Sequence, residues 1–164
     1  MPVALPPIDE LDRLDTADFA GAMALVFEAN PLLLERLARG RPFRSYAALI
    51  AAAREIVGRM SESERVALLA SHPRIGSREA MSPASRREQG SASNAAIEDE
   101  LSQLQDQYER TFGFRFVVFV NRRPRQAIVE VLRRRLNTTR EIELATGIAE
   151  YLAICADRAG IGAV

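Results

Sequence analysis

Apolar side chains recur every three or four positions along most of the chain, which is the spacing of a helix with one buried face. The first apolar stretch predicts a helix over residues 18–29, and Pro31 interrupts it before a second helix that ends at Gly40. Ser45 is placed to cap a third helix over residues 46–58. The first third of the chain is therefore expected to be helical and divided by short turns.

Signals for helix starts continue in the middle of the chain. Ser61 and Glu64 have the spacing of a capping box and are expected to open a further helix. Ser82 followed by Pro83 is a good N-cap with proline at the first helical position, which predicts a short helix. Periodic apolar positions then predict a long helix over residues 97–108.

One segment breaks the helical pattern. Residues 112–120 form an apolar run rich in β-branched and aromatic side chains, which favour extended backbone. No partner strand is evident, so we expect an extended segment buried in the core rather than a sheet. Helical periodicity returns over residues 128–136, and Thr138 and Glu141 have the capping-box spacing that would open a last helix through residue 155.

Length and composition are those of an ordinary globular domain. The chain has 164 residues, of which 48% are hydrophobic and 27% are charged, and it shows neither an internal repeat nor a linker. We therefore expect an all-α fold in a single domain over residues 1–164. The expected architecture is a bundle of about seven to nine helices with one extended apolar segment.

Charge and cysteine content argue against several classes of function. Lys+Arg and Asp+Glu each number 22, and the resulting net charge of +0 argues against a nucleic-acid partner. Cys155 is the only cysteine, so no internal disulfide is expected, and a reducing cytoplasm fits. One cysteine and one histidine do not make a typical zinc site, and no apolar run approaches the ~20 residues of a membrane span. The N-terminus lacks the positive charge of a secretory signal.

His72 is the only histidine, and it stands where a helix must end. Pro73 disfavours helical backbone at the residue before it, so His72 is expected at or just past the end of an apolar helix. Imidazole is the side chain that ordinarily titrates near neutrality, which suits proton transfer at pH 7. The competing interpretation is a histidine that caps the helix or lies on the surface.

Other polar side chains are candidates for binding. Ser85, Glu88 and Gln89 stand at i, i+3 and i+4 on the short predicted helix, so a hydroxyl, a carboxylate and an amide share one face. Spacing alone favours a solvated polar face over a pocket. Arg158 near the end of the last helix suits the helix dipole, and the three arginines at 133–135 are expected to form a solvated face.

Together these motifs have the order and spacing of a known family. They are Ser71-His72-Pro73, Ser85-x-x-Glu88-Gln89 and Phe112-Gly113-Phe114-x-Phe116-Val117-Val118, with Arg41-Pro42-Phe43 upstream and Arg135-Leu136-Asn137, Glu141 and Arg158 downstream. From Phe19 to Arg158 the chain resembles the 2-oxo-4-hydroxy-4-carboxy-5-ureidoimidazoline (OHCU) decarboxylase family.

The resemblance implies a carboxy-lyase of urate breakdown that converts OHCU to (S)-allantoin without a cofactor, usually as a homodimer. It makes His72 the catalytic proton donor and Glu88 its acidic partner at the substrate. The implied substrate contacts are Pro73, Ser85, Gln89, the backbone near Val118, Phe119 and Val120, and Arg158. The alternative is a non-catalytic module on the same helical fold, used for dimerisation or for binding a purine derivative.

Overall fold

The computed structural model describes residues 3–76 and 92–162, and every regular element in these ranges is a helix. In chain order these helices are α1 (Ile8–Arg13), α2 (Thr16–Met23), α3 (Pro31–Arg39), α4 (Tyr46–Gly58), α5 (Glu62–Ala70), α6 (Ala92–Phe112), α7 (Arg125–Arg135) and α8 (Arg140–Arg158). The expected all-α fold is confirmed. Within the same ranges, no helix is long and apolar enough to cross a membrane.

Side-chain caps start the helices where the sequence predicts them. Ser45 accepts a hydrogen bond from the Ala48 amide at the start of α4. Ser61 and Glu64 form the predicted capping box of α5, with each side chain bonded to the other residue's amide. These bonds satisfy amides that have no partner inside their own helix, so local chemistry sets both boundaries.

The last helix begins one residue later than predicted. Its N-cap is Thr139, whose side chain accepts a hydrogen bond from the Ile142 amide. Thr138, the predicted cap, instead donates its hydroxyl to Glu143 Oε1 at 2.7 Å. The predicted capping box of Thr138 and Glu141 is therefore wrong, because the Thr138 hydroxyl is hydrogen-bonded to the buried Glu143 carboxylate and does not cap the helix.

The start of the chain also differs from the prediction. Helix α2 ends at Met23 rather than at residue 29, and residues 24–29 form a turn that contributes to the site described below. Helix α1 precedes the first predicted helix and was not expected, since its six residues are too few for a clear periodic pattern. The short helix predicted from Ser82 and Pro83 lies outside the described residues.

Helix α8 packs against both α4 and α5, while α6 pairs with α7 and α3 contacts both α2 and α4. Gly147 lets α8 approach α5 closely, since a Cβ at this position would lie 3.1 Å from Leu69 Cδ1. The predicted extended segment is confirmed and belongs to the core, where Phe116 and Val117 are 1% and 0% exposed. These contacts bring the end of α5, the extended segment and the end of α8 next to one another.

A buried charge network corrects one part of the prediction that residues 133–135 form a solvated face, since Arg133 and Arg134 are exposed as predicted but Arg135 is not. Arg135 is 6% exposed, and its Nε donates to Oε2 of Glu143, itself 1% exposed, at 2.7 Å. The Tyr108 hydroxyl donates to the same oxygen at 2.6 Å, and burial together with this hydrogen bond raises the pKa of Tyr108. Arg135 Nη1 donates to the Val117 carbonyl at 2.8 Å, so the network also anchors the extended segment.

Candidate active site

A cavity joins three parts of the chain that lie far apart in sequence. Its volume is about 450 Å³, a size that suits a small organic molecule. It is lined by His72, Val118, Phe119, Val120, Asn121, Arg122, Ile154, Asp157 and Arg158. The end of α5, the extended segment with the turn after it, and the last turns of α8 therefore form its walls.

His72 lies two residues past the end of α5, as Pro73 predicts. Its amide donates to the Leu69 carbonyl at 3.1 Å, and its own carbonyl accepts from Arg115 Nη1 at 2.6 Å. The side chain is 13% exposed, and its Nδ1 lies 3.1 Å from Glu28 Oε1, an ion-pair contact in which the ring N–H is not aligned for a hydrogen bond. His72 is thus held at its backbone while its ring lines the cavity.

Glu28 is a residue of the site that the motifs do not predict. Its Oε1 also forms an ion pair with Arg158 Nη1, which in turn donates to the Leu25 carbonyl at 2.8 Å. Burial by itself raises the pKa of Glu28, but the close contacts with His72 and Arg158 and their positive charge outweigh it, so the pKa lies below its usual 4.5. The resulting contribution to stability is present above pH 4.5 and is lost as the pH falls through the lower folded-state pKa.

The extended segment is fixed by hydrogen bonds at the point where it lines the cavity. The Phe119 amide donates to Glu150 Oε2 on α8 at 2.6 Å, and the Phe119 carbonyl accepts from Arg123 Nη2 at 2.6 Å. Val118 before it is 3% exposed. These bonds fix the position of the segment along the cavity wall, and they already give the Phe119 amide and carbonyl partners within the protein.

A tight turn follows the segment and forms part of the cavity wall. The Arg123 amide donates to the Val120 carbonyl at 3.0 Å, and the two residues between them, Asn121 and Arg122, have φ angles of 44° and 61°. Two positive φ angles with this hydrogen bond are typical of a type I′ turn, which prefers asparagine followed by glycine. Arg122 thus occupies a position that favours glycine, and it lines the cavity with a cationic residue.

The structure can be compared with the site residues predicted from the sequence. Those that meet at the cavity are His72, Val118, Phe119, Val120 and Arg158. Pro73 is exposed and is not among the described residues that line the cavity. Ser85, Glu88 and Gln89 lie outside the described residues. The described part of the site therefore consists of the end of α5, the extended segment with the turn after it, and the end of α8.

Cys155 lies on α8 one turn before Arg158. It is 1% exposed, and burial raises the pKa of its thiol to about 12, so it is not a nucleophile at neutral pH. In the two described ranges, no three or more His, Cys, Asp and Glu side chains are grouped in a way suited to a metal ion. The described site offers an imidazole, a carboxylate and guanidinium groups, which can move a proton and hold an anionic oxygen.

Comparison with known proteins identifies the family. The family model described as OHCU decarboxylase matches residues 12–160. The 2-oxo-4-hydroxy-4-carboxy-5-ureidoimidazoline decarboxylase of Haloferax volcanii is 31% identical over 151 residues, which cover 90% of each chain. The uric acid degradation bifunctional protein of Bacillus subtilis is 31% identical over 151 residues, which are 90% of this chain and 31% of that longer protein.

Solved structures share the fold. A crystal structure of (S)-allantoin synthase matches with a TM-score of 0.73 at 19% identity, over 94% of this chain and 53% of the other. A crystal structure of OHCU decarboxylase in the presence of (S)-allantoin matches with a TM-score of 0.69 at 19% identity, over 84% of this chain and 94% of the other. The expected enzyme class, a carboxy-lyase, is confirmed by the family and its named decarboxylases. The chain belongs to the OHCU decarboxylase family, as its motifs imply.

Proposed function

We propose that this protein converts OHCU to (S)-allantoin by decarboxylation and stereospecific protonation, without a cofactor. The observation that carries the proposal is the placement of His72 and Arg158 on one cavity of about 450 Å³, with Glu28 in contact with both. A proton donor and a cation at the same small cavity suit an anionic substrate that must be protonated. The relatives that act in uric acid degradation support a role in urate breakdown.

The substrate of this reaction supplies its own electron sink. Its carboxylate is bonded to a ring carbon that bears a hydroxyl and adjoins a ring C=N bond. When the bond to the carboxylate breaks and CO2 leaves, its electron pair forms a C=C bond to the neighbouring carbon, and the C=N π pair moves to nitrogen, which takes a proton. The neighbouring carbon is then protonated, while the hydroxyl loses its proton and becomes a carbonyl. One proton is consumed overall for each CO2 released.

The residues divide this work between them. His72 delivers the proton to one face of the ring carbon, a step that contributes roughly 10²–10⁴-fold in rate in such reactions. Glu88, outside the described residues, orients the hydroxyl as it becomes a carbonyl. Arg158 holds an anionic or carbonyl oxygen of the substrate. The remaining proposed contacts, to the ring and the ureido group, are Pro73, Ser85, Gln89 and the backbone of Val118, Phe119 and Val120.

The handedness of the product tests the proposed function. Urate is oxidised with uricase and the downstream hydrolase, with and without this protein, and the optical activity of the allantoin is followed over time. A rapid (S) signal that depends on the protein is expected, because the uncatalysed decay of the substrate is slow and racemic. Slow racemic product in both samples would contradict the proposal and favour the non-catalytic binding or dimerisation module.

In the Arg122→Gly variant, the free energy of unfolding is expected to rise by about 0.5–1 kcal/mol relative to the unmodified protein, and KM is expected to increase. Glycine relieves the positive φ of 61°, and its greater freedom in the unfolded chain offsets part of that gain. Loss of a cation beside the cavity weakens the attraction of a carboxylate substrate. Urea denaturation and initial rates measure the two effects, with Arg122→Lys as the control that keeps the charge. An unchanged KM in Arg122→Gly would contradict a role in binding.

We also propose that the protein acts as a cytoplasmic homodimer, as the resemblance implies. The single cysteine, Cys155, is buried and forms no disulfide, which is compatible with a reducing compartment. The support for the dimer itself is the family resemblance, and the small-molecule substrate is bound within the cavity of each chain.

A further inference from the structure

Glu28 contacts two side chains that line the cavity, although it is not among the described residues that line it. Its Oε1 lies 3.1 Å from His72 Nδ1 and forms an ion pair with Arg158 Nη1. The Glu28 side chain is 18% exposed, and those of His72 and Arg158 are 13% and 27% exposed. A single, mostly buried carboxylate oxygen therefore joins the imidazole to the guanidinium.

The turn that carries Glu28 is anchored to α8. The Ala29 amide donates to the Ala24 carbonyl at 2.8 Å, a bond between residues five apart that is typical of a Schellman helix end. The Tyr151 hydroxyl donates to the Phe27 carbonyl at 3.0 Å. The backbone on both sides of Glu28 is thus fixed, so the position of its carboxylate is set by the fold.

Glu28 itself has left-handed backbone, with a φ of 52°. This position of a helix end favours glycine, because a Cβ is strained there. Backbone strain at a residue with specific charged contacts points to a requirement for its side chain. A glycine at position 28 would form the turn more easily but would leave His72 and Arg158 without their shared partner.

We propose that Glu28 is a positioning residue for the reaction. It holds the His72 ring with Nδ1 beside its own carboxylate, at 3.1 Å. This contact makes Nδ1 the nitrogen that carries the hydrogen and leaves Nε2 as the nitrogen that acts on the substrate. A carboxylate at one ring nitrogen selects the tautomer protonated there and stabilises the imidazolium that donates from the other nitrogen. The same carboxylate fixes the Arg158 guanidinium at the cavity. The kinetic part of this inference rests on the proposed function.

Other charged groups also act on His72. Arg158 shares its carboxylate partner, Arg115 donates to its carbonyl, and Asp157 lines the same cavity. Two of these groups, Arg158 and Arg115, are positively charged, and Glu28 places a negative charge 3.1 Å from Nδ1 of the ring. This balance predicts that removing the negative charge alone, without changing the shape of the side chain, disturbs the site.

The kinetic test compares Glu28→Gln, Glu28→Asp and Glu28→Gly. In Glu28→Gln we expect kcat to fall by about 10–100-fold, with a smaller change in KM, because the proton donor is no longer held in the productive orientation. Glu28→Asp should recover part of the loss. Glu28→Gly should unfold at a denaturant concentration no lower than Glu28→Gln, yet be as inactive. Glu130→Gln, an exposed substitution on α7, is the matched control and should keep the activity of the unmodified protein.

A spectroscopic test does not depend on turnover. Because the chain has one histidine, ¹⁵N–¹H correlation spectra of the imidazole report on His72 alone. In the unmodified, substrate-free protein we expect the neutral ring to carry its hydrogen on Nδ1, and in Glu28→Gln we expect a mixture of tautomers. Identical imidazole spectra, or a kcat in Glu28→Gln within twofold of the unmodified protein, would overturn the proposal.

The two proposals fail in different ways. If the unmodified protein yields no (S)-allantoin, the proposed function is wrong, and the imidazole spectra alone decide whether Glu28 positions His72. If the unmodified protein is active and Glu28→Gln keeps either its kcat or its imidazole spectrum, only the positioning role is wrong.

Discussion

The His72→Asn substitution is expected to lower kcat by about 10²–10⁴-fold while the protein still binds (S)-allantoin. Asparagine has an amide group near the place of Nδ1 and so can keep a polar contact with Glu28, but it cannot donate a proton to carbon. The substitution alters none of the other residues that line the cavity, including Arg158 and the extended segment. Loss of turnover with retained product binding is therefore the pattern that identifies a proton donor rather than a binding residue.

Two measurements check this expectation. Circular dichroism follows the formation of one-handed allantoin, and calorimetry measures product binding to the ligand-free variant. Thermal unfolding of the variant should match that of the unmodified protein, because His72 is held through its backbone by Leu69 and Arg115. Full turnover in His72→Asn would remove His72 as the proton donor and leave Glu88 as the acid to be tested.

The Glu143→Leu substitution is expected to destabilise the protein by about 3–5 kcal/mol, a large part of the stability of a domain of this size. It leaves the Arg135 guanidinium, whose side chain is 7% exposed, buried without its carboxylate. It also removes the acceptor of the Tyr108 hydroxyl. Urea denaturation followed by far-UV circular dichroism measures the loss, and a shift in midpoint without a change in slope would assign it to the folded state.

A matched pair of variants separates charge burial from charge pairing. Arg135→Met combined with Glu143→Leu should recover most of the stability, because two apolar side chains of similar size replace the pair without leaving a lone charge. Glu100→Gln removes the partner of Arg133, whose side chain is 53% exposed, and should cost less than about 1 kcal/mol. A Glu143→Leu variant as stable as Glu100→Gln would show that the buried network contributes nothing beyond a surface ion pair.

Local chemistry explains which parts of the fold could be predicted from the sequence. Ser45, Ser61 and Glu64 form caps with residues three positions away, so their spacing alone is sufficient. The choice between Thr138 and Thr139 is not local, because both can cap and the outcome depends on the buried Glu143 carboxylate. A boundary error of one residue is the expected result of such competition.

Long-range contacts explain what could not be predicted. The arginine run at 133–135 has the local pattern of a solvated face, and Arg135 is buried because Tyr108, 27 residues earlier, helps to enclose it. Glu28 pairs with Arg158 across 130 residues, and no motif distinguishes it among 22 acidic side chains. Local sequence singles out His72 as the one histidine at a helix end, but its pairing with Arg158 in one site follows only from the order of several motifs.

Helix α8 has a consequence for how this chain tolerates insertions and deletions. Four of its residues, spaced by four, four and seven positions, have separate long-range contacts. Glu143 belongs to the charge network and Gly147 contacts α5. Tyr151 holds the turn at residues 24–29, and Arg158 lines the cavity. One added residue rotates everything after it by about 100° around the helix axis. An insertion between Glu143 and Arg158 would therefore break the alignment of the network with the cavity, whatever residue is inserted. Changes of length should be accepted in the exposed turns between helices and rejected within α8.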